Sequence, residues 1–557
     1  MNHKPGRGAT LAVTLAAAAL GGASQPALAQ DASGTPPQRI EITGSSIKRI
    51  QAEGALPVQT ISREDIDRLG IVSAEQLVMR IAANGTGADN LSANVGIQLG
   101  TTDRNNNGNS SANLRGLGAS STLVLLNGRR VVAHGAKGNS VDLSFIPLAA
   151  VDRVEVLKDG ASAIYGTDAI GGVINFILRR DYTGFEATGF ADITEAGGGN
   201  LYRASLLGGV GRLSSDGFNV MASLTFDKQQ KLGGYGERSF ANGFQPERGL
   251  SPDTTGTPYA TQTGAAGTAL GATYTLPATG AQTYNRANLL SFQGNCGIIP
   301  FQSQYQSALW GSPGFANACA FDYGGAEVLI QPVERTNLVA RGTFALSPEH
   351  SLFAELTASR TKATKDFEPY QITTTGTLAA SQYPVAGPYY QNLQAFIPSF
   401  NAALPIAYRW RCDICGNRTI ETATDAWRFL LGAEGTLLGW DYKAGLSTAE
   451  SKASSLLVAG YYYTNADPTN ADRPNGLNSV LGSGIVNPWL LPGQTQTAAA
   501  LDAMARASAA GSKLFDGKST INQADATVSR ELFKLEGGML AVAAGVDLRQ
   551  ESYLFSD

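Results

Sequence analysis

The sequence predicts a mainly β protein, a transmembrane antiparallel β-barrel of long alternating strands preceded by a small mixed α/β domain. Three observations predict it. Charged residues make up only 16% of the chain, below the roughly one quarter of soluble domains, while 65 of 557 residues are glycine. Beyond the leader, no run approaches the ~18 apolar residues of a spanning helix, so a membrane form of the exported chain must cross with strands. From residue 184 onward, polarity alternates with period two over segments of about ten residues, the length of a barrel strand. The net charge of −4 argues against an electrostatic nucleic-acid binder. With 3 histidines in all, one of them His3 in the leader, a histidine-rich metal site is not expected.

The elements follow in order. Lys4 and Arg7 precede an apolar run over 9–20, and Ala27-Leu28-Ala29 supplies an A-x-A site, so 1–29 is expected to be a signal peptide cut after Ala29. Residues 30–55, polar and carrying Pro36 and Pro37, are a tether. A compact domain occupies 56–181. Ile66, Leu69, Leu77, Val78 and Ile81 give residues 65–83 a partly apolar helical face, which Gly70 divides. Ser73 followed by Gln76 fits a capping box for the second segment. An apolar strand at 123–126 closes on Asn127-Gly128, a hairpin turn, with a return strand at 129–133. Further strands are expected at 151–157 and 173–178, with a helical turn at 160–165 between them. Neither a G-x-S-x-G elbow nor a Walker lysine is present, and no nucleophile, base and orienter assemble, so neither an enzyme nor a cofactor is expected.

Several blocks of this domain carry a resemblance. NLRGLG at 113–118, TLVLLNGRR at 122–130 and Ile146-Pro147 lead into VDRVEVLKDGASAIYGTDAIGGVIN at 151–175. Together they resemble the plug domain of TonB-dependent outer-membrane receptors over about 130 residues. Most of the signature's glycines fall at tight turns, so they hold the fold rather than touch a ligand.

The remaining 182–557 should form part of the barrel. Nine strands are expected, near 184–193, 201–211, 218–229, 334–346, 351–363, 425–437, 440–452, 519–530 and 539–552. The mainly apolar rows, such as Leu338, Ala340, Gly342, Phe344 and Leu346, should face lipid. A soluble sandwich would alternate in the same way. The connections favour the barrel, because the long ones, at 230–333, 364–424 and 453–518, all fall at one end. A barrel enclosing a plug is of the 22-stranded type, so the sequence is expected to be truncated and its sheet open, with two exposed edges. In an oxidising compartment the four cysteines should form two local disulfides, Cys296–Cys319 and Cys412–Cys415, since their spacing lacks the paired ligands of a zinc site.

The resemblance implies a receptor in the outer membrane of a Gram-negative bacterium, in contact with its lipid. Such a receptor imports a scarce ligand with energy from TonB and its inner-membrane complex. TonB would add a strand to a short N-terminal box, for which Ile40, Glu41, Ile42, Thr43 and Gly44 are the candidates; the other reading makes them the plug's first strand. It also implies plug–barrel ionic contacts, with Arg115, Arg153 and Glu155 on the plug and Glu355 and Glu434 on the barrel, or else solvated charges at these positions. Arg104, Asn105, Asn106, Asn107 and Asn109 form a polar loop that either contacts ligand or is unstructured. Tyr305, Trp310, Tyr389, Tyr390, Tyr408, Trp410 and Tyr461, Tyr462 and Tyr463 suit either ligand stacking or an interfacial girdle. An iron chelate, cobalamin or a saccharide all remain open as the ligand.

Overall fold

The computed structural model describes residues 11–14, 43, 58–85, 108–158, 161–234, 238, 242–252, 256–275, 283–310, 315–373, 382–465, 476–535 and 538–557. The expected cleavage site and most of the leader lie outside these residues.

The first domain is built on a five-stranded sheet. Its strands are β1 (Val58–Ser62), β2 (Thr122–Leu126), β3 (Arg129–Arg130), β4 (Val151–Leu157) and β5 (Gly172–Leu178), in the order β1-β4-β5-β2-β3. Only β2 and β5 run parallel. The hairpin from β2 to β3 turns on Asn127 (φ 53°) and Gly128 (φ 78°), two positive angles in succession as the Asn-Gly pair requires. Helix α1 (Arg63–Arg68) starts at a capping box formed by Ser62 and Asp65. Helix α2 (Ala74–Met79) starts where Ser73 accepts from the Gln76 amide, while the Gln76 side chain accepts from Val72 (3.1 Å) rather than closing a box. Ile66, Leu77, Val78, Val154, Ile174 and Phe176 are fully buried in the core between helices and sheet.

Nine long antiparallel strands follow, one for each expected: β6 (Gly184–Asp192), β7 (Leu201–Val210), β8 (Phe218–Gln229), β9 (Val333–Ser347), β10 (His350–Pro369), β11 (Asn417–Leu437), β12 (Trp440–Ala459), β13 (Lys513–Leu535) and β14 (Gly538–Ser556). Each pairs with its sequence neighbour, and the sheet is open. Leu11–Thr14 adds a short strand along β6, and β14 forms the other edge. Later strands extend past the expected segments, to 20 residues in β10 and 23 in β13.

Alternation decides what each face meets. On β11, Trp427, Phe429 and Leu431 are exposed on one row, whereas Arg428, Leu430 and Gly432 are buried on the other. The buried row lies against the first domain. Among the described residues no helix is long and apolar enough to cross a membrane.

The three long connections between β8 and β9, β10 and β11, and β12 and β13 leave the same end of the sheet and fold together. They share one hydrophobic core, which includes Tyr259, Ala260 and Leu290 of the first, Tyr383, Tyr408 and Trp410 of the second, and Leu481, Trp489 and Met504 of the third. Two short helices of the third, α3 (Leu477–Gly482) and α4 (Ala498–Ala507), pack into it. Cys296–Cys319 and Cys412–Cys415 are both joined as disulfides.

Candidate functional site

The first domain is fastened to the sheet by charge, by backbone contact and by small apolar seams. At the hairpin, Arg129 projects from β3 and makes two parallel bonds to Asp525 of β13, from Nε (2.7 Å) and Nη2 (2.9 Å). Its side chain is only 3% exposed, so this fork-to-carboxylate pair forms in a poorly solvated place. On the opposite flank, Glu75 of α2 pairs with Arg335 of β9, both buried. Arg335 also donates to Ser144 (3.3 Å).

Glu355 of β10, 1% exposed, is the centre of a third group. It accepts from Arg341 (2.9 Å), from Arg428 (3.0 Å) and from Asn127 at the hairpin tip (2.7 Å). Two barrel cations and a domain amide therefore share one carboxylate. The Asn127 carbonyl oxygen in turn accepts from the Leu178 amide (2.9 Å), which fixes the direction of its side chain.

The loop His134–Gly138 meets the far strands. A Cβ on Gly135 would lie 2.7–2.8 Å from backbone atoms of Ala453, Gly517 and Ser451, so the two main chains touch directly and only glycine fits. Tyr553 donates to the Ala136 carbonyl (3.0 Å). His134 is fully buried and bonds Thr424 (3.1 Å) through Nε2. Burial lowers its pKa to about 3, helped by the charge of Lys137, so the ring is neutral. Burial raises Asp142 to about 6, against the pull of the Ser144 and Ser110 amides and of Arg335.

The fourth feature lies at the N-terminal side. Thr43 is 5% exposed and donates to Glu155 Oε2 twice, from its backbone N–H (2.9 Å) and from its hydroxyl (2.6 Å). Asn175 donates to the same hydroxyl (2.9 Å), and Arg153 donates to the other Glu155 oxygen (2.9 Å).

The expected site residues fall at the following places. Arg153 and Glu155 sit two apart on one face of β4 and so pair with each other and with Thr43 instead of crossing to the barrel. Arg115 is exposed on a left-handed turn (φ 61°), its amide bonded to the Ala83 carbonyl (2.6 Å). Glu355 does face the first domain, but through Asn127 and two barrel arginines. Glu434 of β11 does pair with the first domain as expected, but with Arg180 (3.3 Å), which lies within the 56–181 bounds of that domain. Asn109 is 3% exposed and turned inward, its side-chain N–H donating to the Ser140 hydroxyl (2.7 Å). Arg104, Asn105, Asn106 and Asn107, and Ile40, Glu41, Ile42 and Gly44, lie outside the described residues. Tyr408 and Trp410, both 1% exposed, belong to the core of the loop assembly rather than to a girdle or a ligand platform, and Tyr305 (5%) is buried in a small separate cluster with Ala318 and Ala320. Arg129, Asp525, Glu75 and Arg335 were not singled out from sequence. The available signal was weak: Asp525 is the one charge on the inward row of β13 between Ser519 and Ser529.

Residues 51–173 match the family model of the TonB-dependent Receptor Plug Domain. The chain is similar to a ferric enterobactin receptor from Pseudomonas aeruginosa in complex with enterobactin (14% identity, 89% of this chain and 50% of that one, TM-score 0.43). It is also similar to a siderophore receptor from Acinetobacter baumannii (12%, 89% and 48%, 0.42) and to the alcaligin outer-membrane receptor of Bordetella pertussis (10%, 93% and 51%, 0.43). The chain spans about half the length of these structures.

Proposed function

We propose that this chain, whose residues 51–173 are a TonB-dependent receptor plug domain, serves an outer-membrane receptor and transporter. It binds a scarce extracellular ligand, such as an iron chelate, and imports it into the periplasm with energy delivered by TonB. One observation carries the reading: the plug is held on the buried face of the sheet by the pairs Arg129–Asp525 and Glu75–Arg335. Separating such pairs pulls opposite charges apart in a poorly solvated place, where the loss is larger than at an exposed surface. A plug tied by two of them opens rarely by thermal motion alone, so passage needs work from outside. A passive pore would have no use for such ties.

The work would enter through residues 40–44, which precede the plug sheet in the sequence and of which Thr43 donates to Glu155. TonB adds to such a segment as an extra strand, and backbone hydrogen bonds then transmit the pull.

The test uses cells with this receptor as their one route for ferric siderophores, supplied with radio-iron in that form. Deleting 40–44 should leave surface binding intact and abolish accumulation. Undiminished accumulation would remove the segment as the coupling site. Cells that neither bind nor accumulate the iron, with the receptor present at normal level, would move the ligand class to cobalamin or a saccharide.

A further inference from the structure

Four residues of the barrel wall stand in one register row: Phe353 of β10, Gly432 of β11, Gly445 of β12 and Asp525 of β13. With strands about 4.8 Å apart, the two glycines leave a bare floor between an aromatic ring and a carboxylate. Phe353 lies over the first glycine, where a Cβ on Gly432 would come 2.8 Å from its Cε2. The Arg129 guanidinium lies over the second, where a Cβ on Gly445 would come within 2.7–2.9 Å of Nη2, Cζ and Nε. This guanidinium is bonded to Asp525 through two N–H groups, and its Cζ is 5.6 Å from the centre of the Phe353 ring. Arg341, 4.8 Å from the same ring and paired with Glu355, fixes Phe353 from within the barrel. Phe353 is 2% exposed, and among the described residues Arg129 is the one cation bonded to Asp525.

We propose that Phe353, Gly432, Gly445 and Asp525 form a guanidinium-binding site of the barrel wall, which Arg129 fills from the plug and a guanidinium-bearing ligand fills in its place. All four residues belong to the barrel, so the plug contributes none of the site's parts. Each part selects for this group. The carboxylate takes two parallel N–H bonds from a planar fork, which an ammonium, a compact point charge, does not offer. The glycine floor lets a flat group lie directly on the main chain. The ring adds a cation–π attraction, which acts within about 6 Å of its centre. The ligand class is therefore a solute or peptide that carries an arginine-like side chain, and it competes with Arg129 rather than binding beside it. That competition inside the lumen rests on the transport reading above, whereas the site itself rests on the wall alone.

The experiment uses the complete receptor in detergent micelles, with methylguanidinium as the probe. Arg129→Ala vacates the site, and binding is read from saturation transfer to the methyl protons of the probe. Arg129→Ala should bind methylguanidinium at least about tenfold more tightly than the parent, whose own Arg129 holds charge-assisted bonds to the same carboxylate. Methylammonium should show no such gain. Adding Asp525→Asn to Arg129→Ala should abolish the gain by removing the charged acceptor, and adding Gly445→Ala should abolish it by filling the floor. Equal binding by the parent and Arg129→Ala would overturn the proposal. So would a gain that survives Asp525→Asn, or methylammonium binding as tightly as methylguanidinium. Should Arg129→Ala not assemble, refolding into micelles with either cation decides. Recovery with methylguanidinium alone supports the site, and recovery with both or with neither overturns it. Binding by Arg129→Ala while the parent fails to accumulate radio-iron in cells keeps the site and removes the transport reading.

Discussion

Single side chains carry the pH response of the plug. His134 is held neutral, with its pKa lowered to about 3, whereas an opened loop would take a proton near the ordinary 6.5. Its contribution is therefore complete above about pH 6.5 and is lost as pH falls toward 3. Asp142 works the other way. Raised to about 6 from 3.8, it favours the protonated form in the fold, so its penalty is full above pH 6 and fades as pH falls toward 4. His134 lies further from its ordinary value, and the net expectation is loosening on acidification. Hydrogen exchange at the Lys137 and Gly138 amides, corrected for intrinsic rate, should quicken between about pH 7 and about pH 4.5. The variant His134→Gln should reverse that dependence, since Asp142 alone then responds; slower exchange of the parent at low pH would mean that Asp142 dominates there too. None of this was legible in the sequence. A histidine beside Gly135 looks like a surface turn until Thr424, 290 residues away, is placed against it.

At the scale of elements, strands were the most legible part, because a row of outward apolar residues repeats every second position whatever its neighbours are. Leu338, Phe344 and Leu346 lie on the exposed row of β9 as their spacing requires. The strand ends were less legible. Near the long connections the outward rows turn polar, as at Arg360 and Lys362 of β10, and the alternation loses its contrast although the pairing continues. The connections themselves were expected as loops and instead share a core. Their disulfides should differ in weight, since a cross-link acts mainly on the unfolded chain and more so across a longer loop. With a sequence separation of 23, replacing Cys296 and Cys319 by alanine should cost the loop assembly about 3 kcal/mol. With a separation of 3, the same change at Cys412 and Cys415 should cost about 2 kcal/mol. Denaturant melts followed by tryptophan emission would rank the two, and the reverse order would show that native packing decides.

At the scale of the molecule, the chain consists of a plug, a sheet that bears it and an assembly of loops that behaves as one body. Trp489 ties that body together. It lies edge-on to Tyr383 (5.0 Å) and beside Tyr408 (5.8 Å), and its indole N–H donates to the Ala260 carbonyl (3.2 Å), so one residue of the third loop touches the other two. Removing such a buried ring costs about 3–5 kcal/mol. Trp489→Ala should therefore admit a protease to all three loops in parallel; cleavage confined to the third would show that they fold separately. By itself the sequence determined the element types, their order, the two faces of each strand and the plug signature, since periodicity, turn chemistry and glycine placement are local properties. The tertiary structure alone decided which charges meet. Arg129 finds Asp525 across 396 positions, Glu155 turns to Thr43 rather than to the barrel, and Tyr408 and Trp410 go to a core whereas Trp310 stays exposed. Partner choice across a lumen depends on strand register and on where the plug is seated, and neither is written in any single segment.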